Sequence, residues 1–416
     1  MNKKKILIIN SYAPNRGDSA IIQSTIDTLK GTNTEITVSI AHPQYMSVMS
    51  GIDVISRIPA NISILTLFEL IVMPIFVLLS KLNRFFLRFL SKEHQKVLIE
   101  YFDSDIILSA GGHHLTDING LIPFLLQSYQ LFLAILIGKP TVIYSQTIGP
   151  FIRFPVLLKF ITKFILNRVK LIMVREEQSK DILINDLKIK ESSVHLTADI
   201  VFLLKPSEAN RIKNIFKAES INDTKNKLLV GITVYKSKYY NSSNPEKKFI
   251  DYKETMAKMA DFLIETFNAT VIFIPMEMQY NADIPLIVNI TDLMQHRNDV
   301  KILRNIYSSK DTMGIIKELD LFIGAKTHSI IFSLSQCTPV LCIAYHPKSQ
   351  EFMKMFNVEK YSMDIESLDF KEIKDNIEDL INEKETVEKK ICIGISKIQN
   401  QSQENVKLFN NFLNEL

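Results

Sequence analysis

Cysteine is scarce in this chain. Cys337, Cys342 and Cys392 are the only three in 416 residues and form no CxxC or CxxH arrangement, so neither a disulfide framework nor a zinc site is expected, and a reducing cytosol fits. No charge of one sign dominates either. Lys and Arg total 49 against 45 Asp and Glu, and a net charge of +4 is too small to argue for nucleic acid. Neither G-x-G-x-x-G nor a P-loop is present, and no fixed-period repeat or low-complexity segment stands out. The opening MNKKKILIINSY carries the charges of a secretory leader, but its apolar run is far shorter than the ~7 to 15 residues such a core needs. It reads as a first buried strand.

What remains is ordinary globular composition, 46% hydrophobic and 23% charged. The length exceeds the ~250 to 300 residues at which one core stops growing, so two domains are expected. The charge is divided unevenly: residues 1–205 carry 22 basic and 16 acidic side chains, and the remainder 27 and 29. The N-terminal half is the one suited to an anionic surface.

Periodicity outlines βα units. KILIIN at 5–10 is a strand-length apolar run, followed by a helix with Ile21, Ile22, Thr25, Ile26 and Leu29 on one side and Asp18 or Ser19 as its cap. Asn15 and Gly17 give the intervening loop the freedom to turn backbone N–H groups toward a ligand. Further apolar runs end in Gly111 and Gly112 with Asp117 just beyond, in Gln146, and in Arg175. His113, His114 and Asp117 make a poor metal set, because adjacent histidines rarely converge on one ion, and no metal is expected. Residues 62–90 are strongly apolar, but Glu69 and Pro74 interrupt them and Lys81, Arg84 and Arg88 follow. A second basic and aromatic stretch covers 151–170. Both fit a helix lying at an anionic membrane surface, and both also fit helices packed on the sheet.

These patterns give a domain plan: an N-terminal Rossmann-like domain over 1–205 with a hydrophobic and basic helical insertion at about 60–100, a polar linker over 206–227, a C-terminal Rossmann-like domain over 228–364, and helices over 365–416 that are expected to pack back on the first domain. The stretch organising the second domain is 324–348, where a strand ends in Gly324 and a helix begins. Lys326 and His328 stand there, a cation and a titratable imidazole beside the N–H groups of a helix start, which suits an anionic substrate undergoing proton transfer.

Taken in order, NRGDSAI at 15–21, ILSAGGHHLTD at 107–117, SQTIGPF at 145–151, VREEQS at 174–179, TADIVF at 197–202 and GAKTHSIIFSLSQCTPVLCIAYHPK at 324–348 resemble the polysaccharide pyruvyl transferase family. The resemblance implies an α/β chain of two Rossmann-like domains, glycosyltransferase-B-like, with its active site in the inter-domain cleft. It implies transfer of the pyruvyl group of phosphoenolpyruvate to a sugar diol as a ketal, in surface glycan biosynthesis at the cytoplasmic face. Phosphoenolpyruvate and a sugar or lipid-linked oligosaccharide are then the partners, without a cofactor or nucleic acid. Carried onto this chain, His328 is the general acid and base, Asp18 and Asp117 bind or activate sugar hydroxyls, and Arg175, Lys326 and Lys348 hold the donor's anionic groups. Asn15, Gly17, Gly111, Gly112 and Gln146 complete the substrate-binding set. The chain departs from the family pattern at Lys326, where arginine is usual, and at His113 and Thr147, where glycine is usual. Lysine lacks the bidentate fork that grips a carboxylate. Two other readings remain open: a glycosyltransferase using a nucleotide sugar, and a catalytically weak glycan-binding subunit of a membrane assembly complex.

Overall fold

Apolar runs of strand length alternate with helices to build two parallel sheets, one in each of two units. The first unit comprises Met1–Ala13, Asp18–Leu203 and Gln399–Leu416, and the second Pro14–Gly17 and Leu204–Ile398. The structure is a computed structural model that describes residues 3–30, 33–46, 52–59, 63–118, 120–221, 226–236, 244–277 and 283–416.

Up to residue 203 the elements are β1 (Lys4–Tyr12), α1 (Arg16–Leu29), β2 (Thr34–Ala41), β3 (Asp53–Ser56), α2 (Ile64–Ser80), α3 (Lys92–Asp103), β4 (Ile106–Ser109), β5 (Gly112–Leu115), α4 (Leu121–Ile137), β6 (Thr141–Ile148), α5 (Pro155–Leu166), β7 (Leu171–Val174), α6 (Glu177–Asp181) and β8 (Val194–Leu196). The strands pair in parallel in the order β3-β2-β1-β4-β6-β7-β8, with β5 added against β6. Residues 6–9 of β1 and all of β4 and β6 are buried, as strands covered on both faces must be.

Beyond it run α7 (Ala209–Ala218), β9 (Leu229–Ile232), α8 (Pro245–Phe267), β10 (Thr270–Phe273), α9 (Asp283–Thr291), β11 (Lys301–Ile302), α10 (Ser309–Lys317), β12 (Leu321–Gly324), α11 (Thr327–Ser335), β13 (Val340–Ala344), α12 (Pro347–Met355), β14 (Ser362–Asp364), α13 (Phe370–Asn382) and α14 (Lys384–Asn414). The second sheet is parallel throughout, in the order β11-β10-β9-β12-β13-β14. The end of α14 belongs to the first unit. There Ser402 Oγ donates to the Asp199 carbonyl at 2.7 Å, Asn405 Nδ2 donates to the Ala198 carbonyl at 3.0 Å, and the Phe409 ring meets Tyr144 edge-on at 6.0 Å.

Both sheets reverse their winding between the first and fourth strands, at β1/β4 and at β9/β12. In a doubly wound sheet that switch point opens a crevice at the carboxyl ends of the strands.

Two expectations are corrected, and a stretch with two readings takes its local form. The segment read as a linker contains α7, whose Ile212 and Ile215 are buried, with Ile212 close against Gly314 of α10; residues 222–225 of it lie outside the described residues. Ile212, Ile215 and half-buried Phe216 keep the i, i+3, i+4 spacing of a helix, a short pattern that the polar, lysine-rich surroundings obscured. Cys337 and Cys392 form a disulfide with their Cα atoms 5.3 Å apart. Their 55-residue separation hid the approach of α14 to the end of α11. The apolar stretch at 62–90 becomes α2 and a 3-10 turn at Arg84–Phe89, and no helix among the described residues is long and apolar enough to cross a membrane.

Candidate functional site

At the β9/β12 switch point the strand ends are tied together. Ala325 N donates to Thr233 Oγ1 at 2.9 Å, and Thr233 Oγ1 also meets Ser329 Oγ of α11 at 3.1 Å. This brace fixes the start of α11, with Lys326 as its N-cap and half-buried His328 in its first turn. The segment Asn15–Gly17, which enters the first turn of α1, lies directly on His328. A Cβ built on Gly17 would stand 2.4 Å from His328 Cβ, Cγ and Nδ1, so only glycine allows the approach. The loop is held in place by its own bonds. Asn15 Oδ1 accepts from Gly17 N at 2.8 Å, Asn15 Nδ2 donates to Glu277 Oε2 at 3.2 Å, Arg16 N donates to the Met276 carbonyl at 2.9 Å, and Ser309 Oγ donates to the Arg16 carbonyl at 2.6 Å.

Between these contacts sits a residue that sequence reasoning missed. Arg16 is 2% exposed, and none of its three guanidinium nitrogens has a hydrogen-bond partner among the described residues. Burial lowers its pKa to about 10, opposed by Asp283, Tyr307, Asp311 and Glu219, so it remains a cation at neutral pH. Those acids are already engaged. Asp283 receives Lys326 Nζ at 2.8 and 2.9 Å, Asp311 receives Arg211 and Ser207, and Glu219 receives Tyr307 and Asn305. A buried charge lacking hydrogen bonds is costly, and such groups concentrate at functional sites. In the sequence Arg16 stands within the NRGDSAI motif at 15–21 without being singled out there. The available signal was its place, a cation in the turn between a parallel strand and its helix.

At the β1/β4 switch point of the first unit lies a cavity of 540 Å³. Tyr12, Asp18, Arg57 and His113 supply its polar lining and Ile122, Pro123 and Leu126 its apolar lining. A buried chain of amides underlies it: Gln130 Nε2 donates to Asn10 Oδ1 at 2.8 Å, and Asn10 Nδ2 and Gln146 Nε2 donate to Ser109 Oγ at 3.0 and 2.6 Å. His114 turns Nε2 to the Gly111 carbonyl at 2.9 Å, away from any shared role with His113. Burial, aided by the charges of Arg175 and Arg57, pushes its pKa down to about 4, so it is neutral at physiological pH.

The residues expected to form the site divide between the two units and the fold itself. Asn15, Gly17 and His328 converge with Arg16 in the second unit, and Asp18 lines the cavity of the first. The others are engaged within the fold. Asp117, 1% exposed, accepts from Ile152 N and Arg153 N at 2.8 and 2.6 Å and fastens the loop before α5. Gln146 serves the amide chain. Gly111 admits α1, since a Cβ there would stand 2.8 Å from Ile21 Cγ2, and Gly112 takes φ +129°. Arg175 is fully buried, with Nη1 on Asp199 and Nε donating to Thr147 Oγ1 at 3.0 Å. The hydroxyl of Thr147, standing where the family usually has glycine, donates in turn to Glu176 at 2.9 Å. Lys326 is committed to Asp283. Lys348 is buried in the first turn of α12, its Nζ 5.8 Å from the centre of the Phe352 ring.

Two doubly wound parallel-sheet units, each with polar side chains collected at its switch point, define a glycosyltransferase-B-like α/β protein. Within that class the chain belongs to the polysaccharide pyruvyl transferase family, which it matches over residues 15–347. A relative, the amylovoran biosynthesis protein AmsJ of Erwinia amylovora, is 21% identical over 422 residues, covering 95% of this chain and 96% of AmsJ. Among solved structures, UDP-GlcNAc 2-epimerase from Neisseria meningitidis superposes with a TM-score of 0.63 at 13% identity, covering 98% of this chain and 100% of the epimerase. Anabaena HepE in complex with UDP-glucose gives 0.59 at 14% identity, covering 99% and 100%. At those identities the likeness is one of fold. The family places the chain among transferases of polysaccharide biosynthesis.

Proposed function

We propose that this chain transfers the pyruvyl group of phosphoenolpyruvate to two hydroxyls of a sugar, forming a ketal. The observation that supports it best is the pairing, on one loop and one helix start, of an imidazole in contact with Gly17 and a buried guanidinium with no hydrogen-bond partner among the described residues. The donor carries a phosphate and a carboxylate, and ketal formation must deliver a proton to its methylene carbon. C2 becomes electrophilic, one hydroxyl adds to it and loses its proton, phosphate leaves, and the second hydroxyl adds and loses its proton. His328 supplies the first proton and recovers one from a hydroxyl, a role worth ~10² to 10⁴ in rate. Arg16 and the N–H groups at the start of α11 bind the donor's anionic groups. Arg175 and Lys326 are left out of that role because each is ion-paired, Arg175 with Asp199 and Lys326 with Asp283, although Arg175 Nη2 has no hydrogen bond among the described residues. Asp18 and Arg57 offer an acceptor and a donor to sugar hydroxyls in the 540 Å³ cavity.

The test is incubation of the purified chain with phosphoenolpyruvate and candidate free and lipid-linked sugars, reading inorganic phosphate and the mass of the product. Phosphate release with addition of one pyruvyl unit is expected. Release of nucleoside diphosphate from sugar nucleotides, with none of phosphate from phosphoenolpyruvate, would replace this reading by glycosyl transfer.

A further inference from the structure

Among the described residues, 18 of the 25 large hydrophobic side chains left exposed fall between residues 65 and 164, all in the first unit. Their elements adjoin. The Phe76 ring of α2 stacks on Phe89 of the following turn at 5.6 Å, Tyr129 Oη of α4 donates to the Leu70 carbonyl of α2 at 2.6 Å, and α4 packs against α5. Phe68, Phe85, Phe89, Phe154 and Phe160 are each 51–68% exposed. At roughly 200 Å² per ring residue these five leave about 600 Å² open, the upper end for the largest apolar patch of a monomer. The other exposed side chains add to that.

The exposed charges within these segments are basic, with Arg84 and Lys159 paired to Asp103 and Asp186 of neighbouring elements. Residues 64–90 hold a single acid, Glu69, and 151–170 hold none. Glu69 is turned inward, accepting from Ser91 N at 3.1 Å and Ser91 Oγ at 2.9 Å and meeting His94 Nδ1. Arg88 and Lys163 are exposed, and the Arg153 side chain edges a shallow 550 Å³ groove with Phe154, Val156 and Phe160. We infer that this surface docks on an anionic lipid bilayer, its apolar side chains entering the headgroup region and its cations meeting lipid phosphates. A second copy of the chain is disfavoured as the occupant, because an isologous contact would set a basic patch against itself. Ile122, 66% exposed, belongs both to this surface and to the lining of the 540 Å³ cavity, so docking sets the opening of that cavity beside the membrane.

The test is flotation of the full chain with phosphatidylcholine vesicles, with and without phosphatidylglycerol, at low salt. Stronger flotation with the anionic vesicles is expected. Neutralising Arg88 and Lys163 together as Arg88→Gln and Lys163→Gln should weaken partition about 25-fold, at roughly fivefold per charge. Val156→Ser with Phe160→Ser should weaken it roughly tenfold or more at unchanged melting temperature, since both side chains are exposed. Wild-type chain left at the bottom with anionic vesicles, or variants that float like wild type, would overturn the inference. So would a dimer broken by Phe160→Ser with no vesicle binding. None of these readouts uses phosphoenolpyruvate, so they stand or fall apart from the donor assignment.

Discussion

Gly17→Ala is the sharpest perturbation of the site. The added Cβ would stand 2.4 Å from His328 Cβ, Cγ and Nδ1, against the ~3.5 Å or more of an ordinary carbon contact. About 1 Å of displacement must come from the loop or from the imidazole. The loop is held at Glu277, Met276 and Ser309 and α11 is braced through Thr233 and Ser329, so neither yields freely. Overpacking of this kind costs ~1 to 3 kcal/mol, and a misplacement of 1 Å at a reacting group costs ~10² in turnover. The expected outcome is a melting temperature lowered by several degrees, with kcat falling further than donor affinity. A second variant fixes the cause. His328→Ala keeps the Cβ that clashes, so Gly17→Ala should still destabilise that background, whereas in His328→Gly most of the penalty should vanish. Thermal melts of the six proteins, with and without Gly17→Ala in each of the three His328 backgrounds, and steady-state phosphate release measure both effects. Gly17→Ala with wild-type melting and turnover within about threefold would refute the reasoning, since no geometry with the loop on the ring tolerates that carbon.

Arg16→Met removes the buried cation while keeping the side chain's volume. Because its acidic neighbours already have partners, the melting temperature should hold while the donor KM rises roughly ten- to hundredfold, the loss of a charged hydrogen bond; a large drop in stability at constant KM would make Arg16 structural. His114 has a folded pKa of about 4 against 6.5 when unfolded, so the unfolded chain binds the extra proton between those values. Stability is therefore full above pH 6.5 and falls by about 3 kcal/mol as pH drops toward 4, and His114→Gln should flatten that part of a urea-denaturation profile. An unchanged slope would clear His114 of the effect. Closing a loop across 55 residues, the Cys337–Cys392 bridge should stabilise the oxidised chain by about 4 kcal/mol, read as a fall in melting temperature on reduction that the Cys392→Ser variant no longer shows. Identical melting with and without reductant would exclude the bridge.

Strands of the two sheets are legible in the sequence where both faces are covered, because they carry apolar runs: Ile6–Ile9 in β1, Ile106–Leu108 in β4, Val142–Tyr144 in β6, Val271–Phe273 in β10 and Val340–Ala344 in β13. β3 and β5 are not legible. β3 is short with an exposed first residue, and β5 is Gly-His-His-Leu, paired to β6 at Gly112 and Leu115 with a register shift between them. α1 is legible because its buried residues Ile21, Ile22, Ile26 and Leu29 keep helical spacing. Apolarity alone cannot tell whether residues 62–90 and 151–170 face protein or solvent. That needs the contact partners, and Leu65, Ile71 and Val156 turn out to have few.

The site is harder to read for a related reason. At the carboxyl end of a parallel sheet every strand stops and a loop departs, and the backbone groups freed there must be bonded by something. Polar side chains at strand ends are consequently drawn to two tasks, holding the next loop and holding a ligand, and the sequence does not distinguish them. Asp117, Gln146 and Arg175 occupy the same topological level as Asp18 and His328, yet Asp117 caps Ile152 and Arg153, Gln146 bonds Ser109 and Ala110, and Arg175 bonds Asp199 and Thr147. The separating property is whether the chain itself supplies the partners. Lys326 fails that test because both Asp283 oxygens accept from its ammonium at 2.9 and 2.8 Å, and Arg16 passes it because all three nitrogens of its buried guanidinium lack a partner among the described residues. An arginine within the NRGDSAI motif therefore carries the charge left without hydrogen bonds, while Lys326 is ion-paired to Asp283 within the fold.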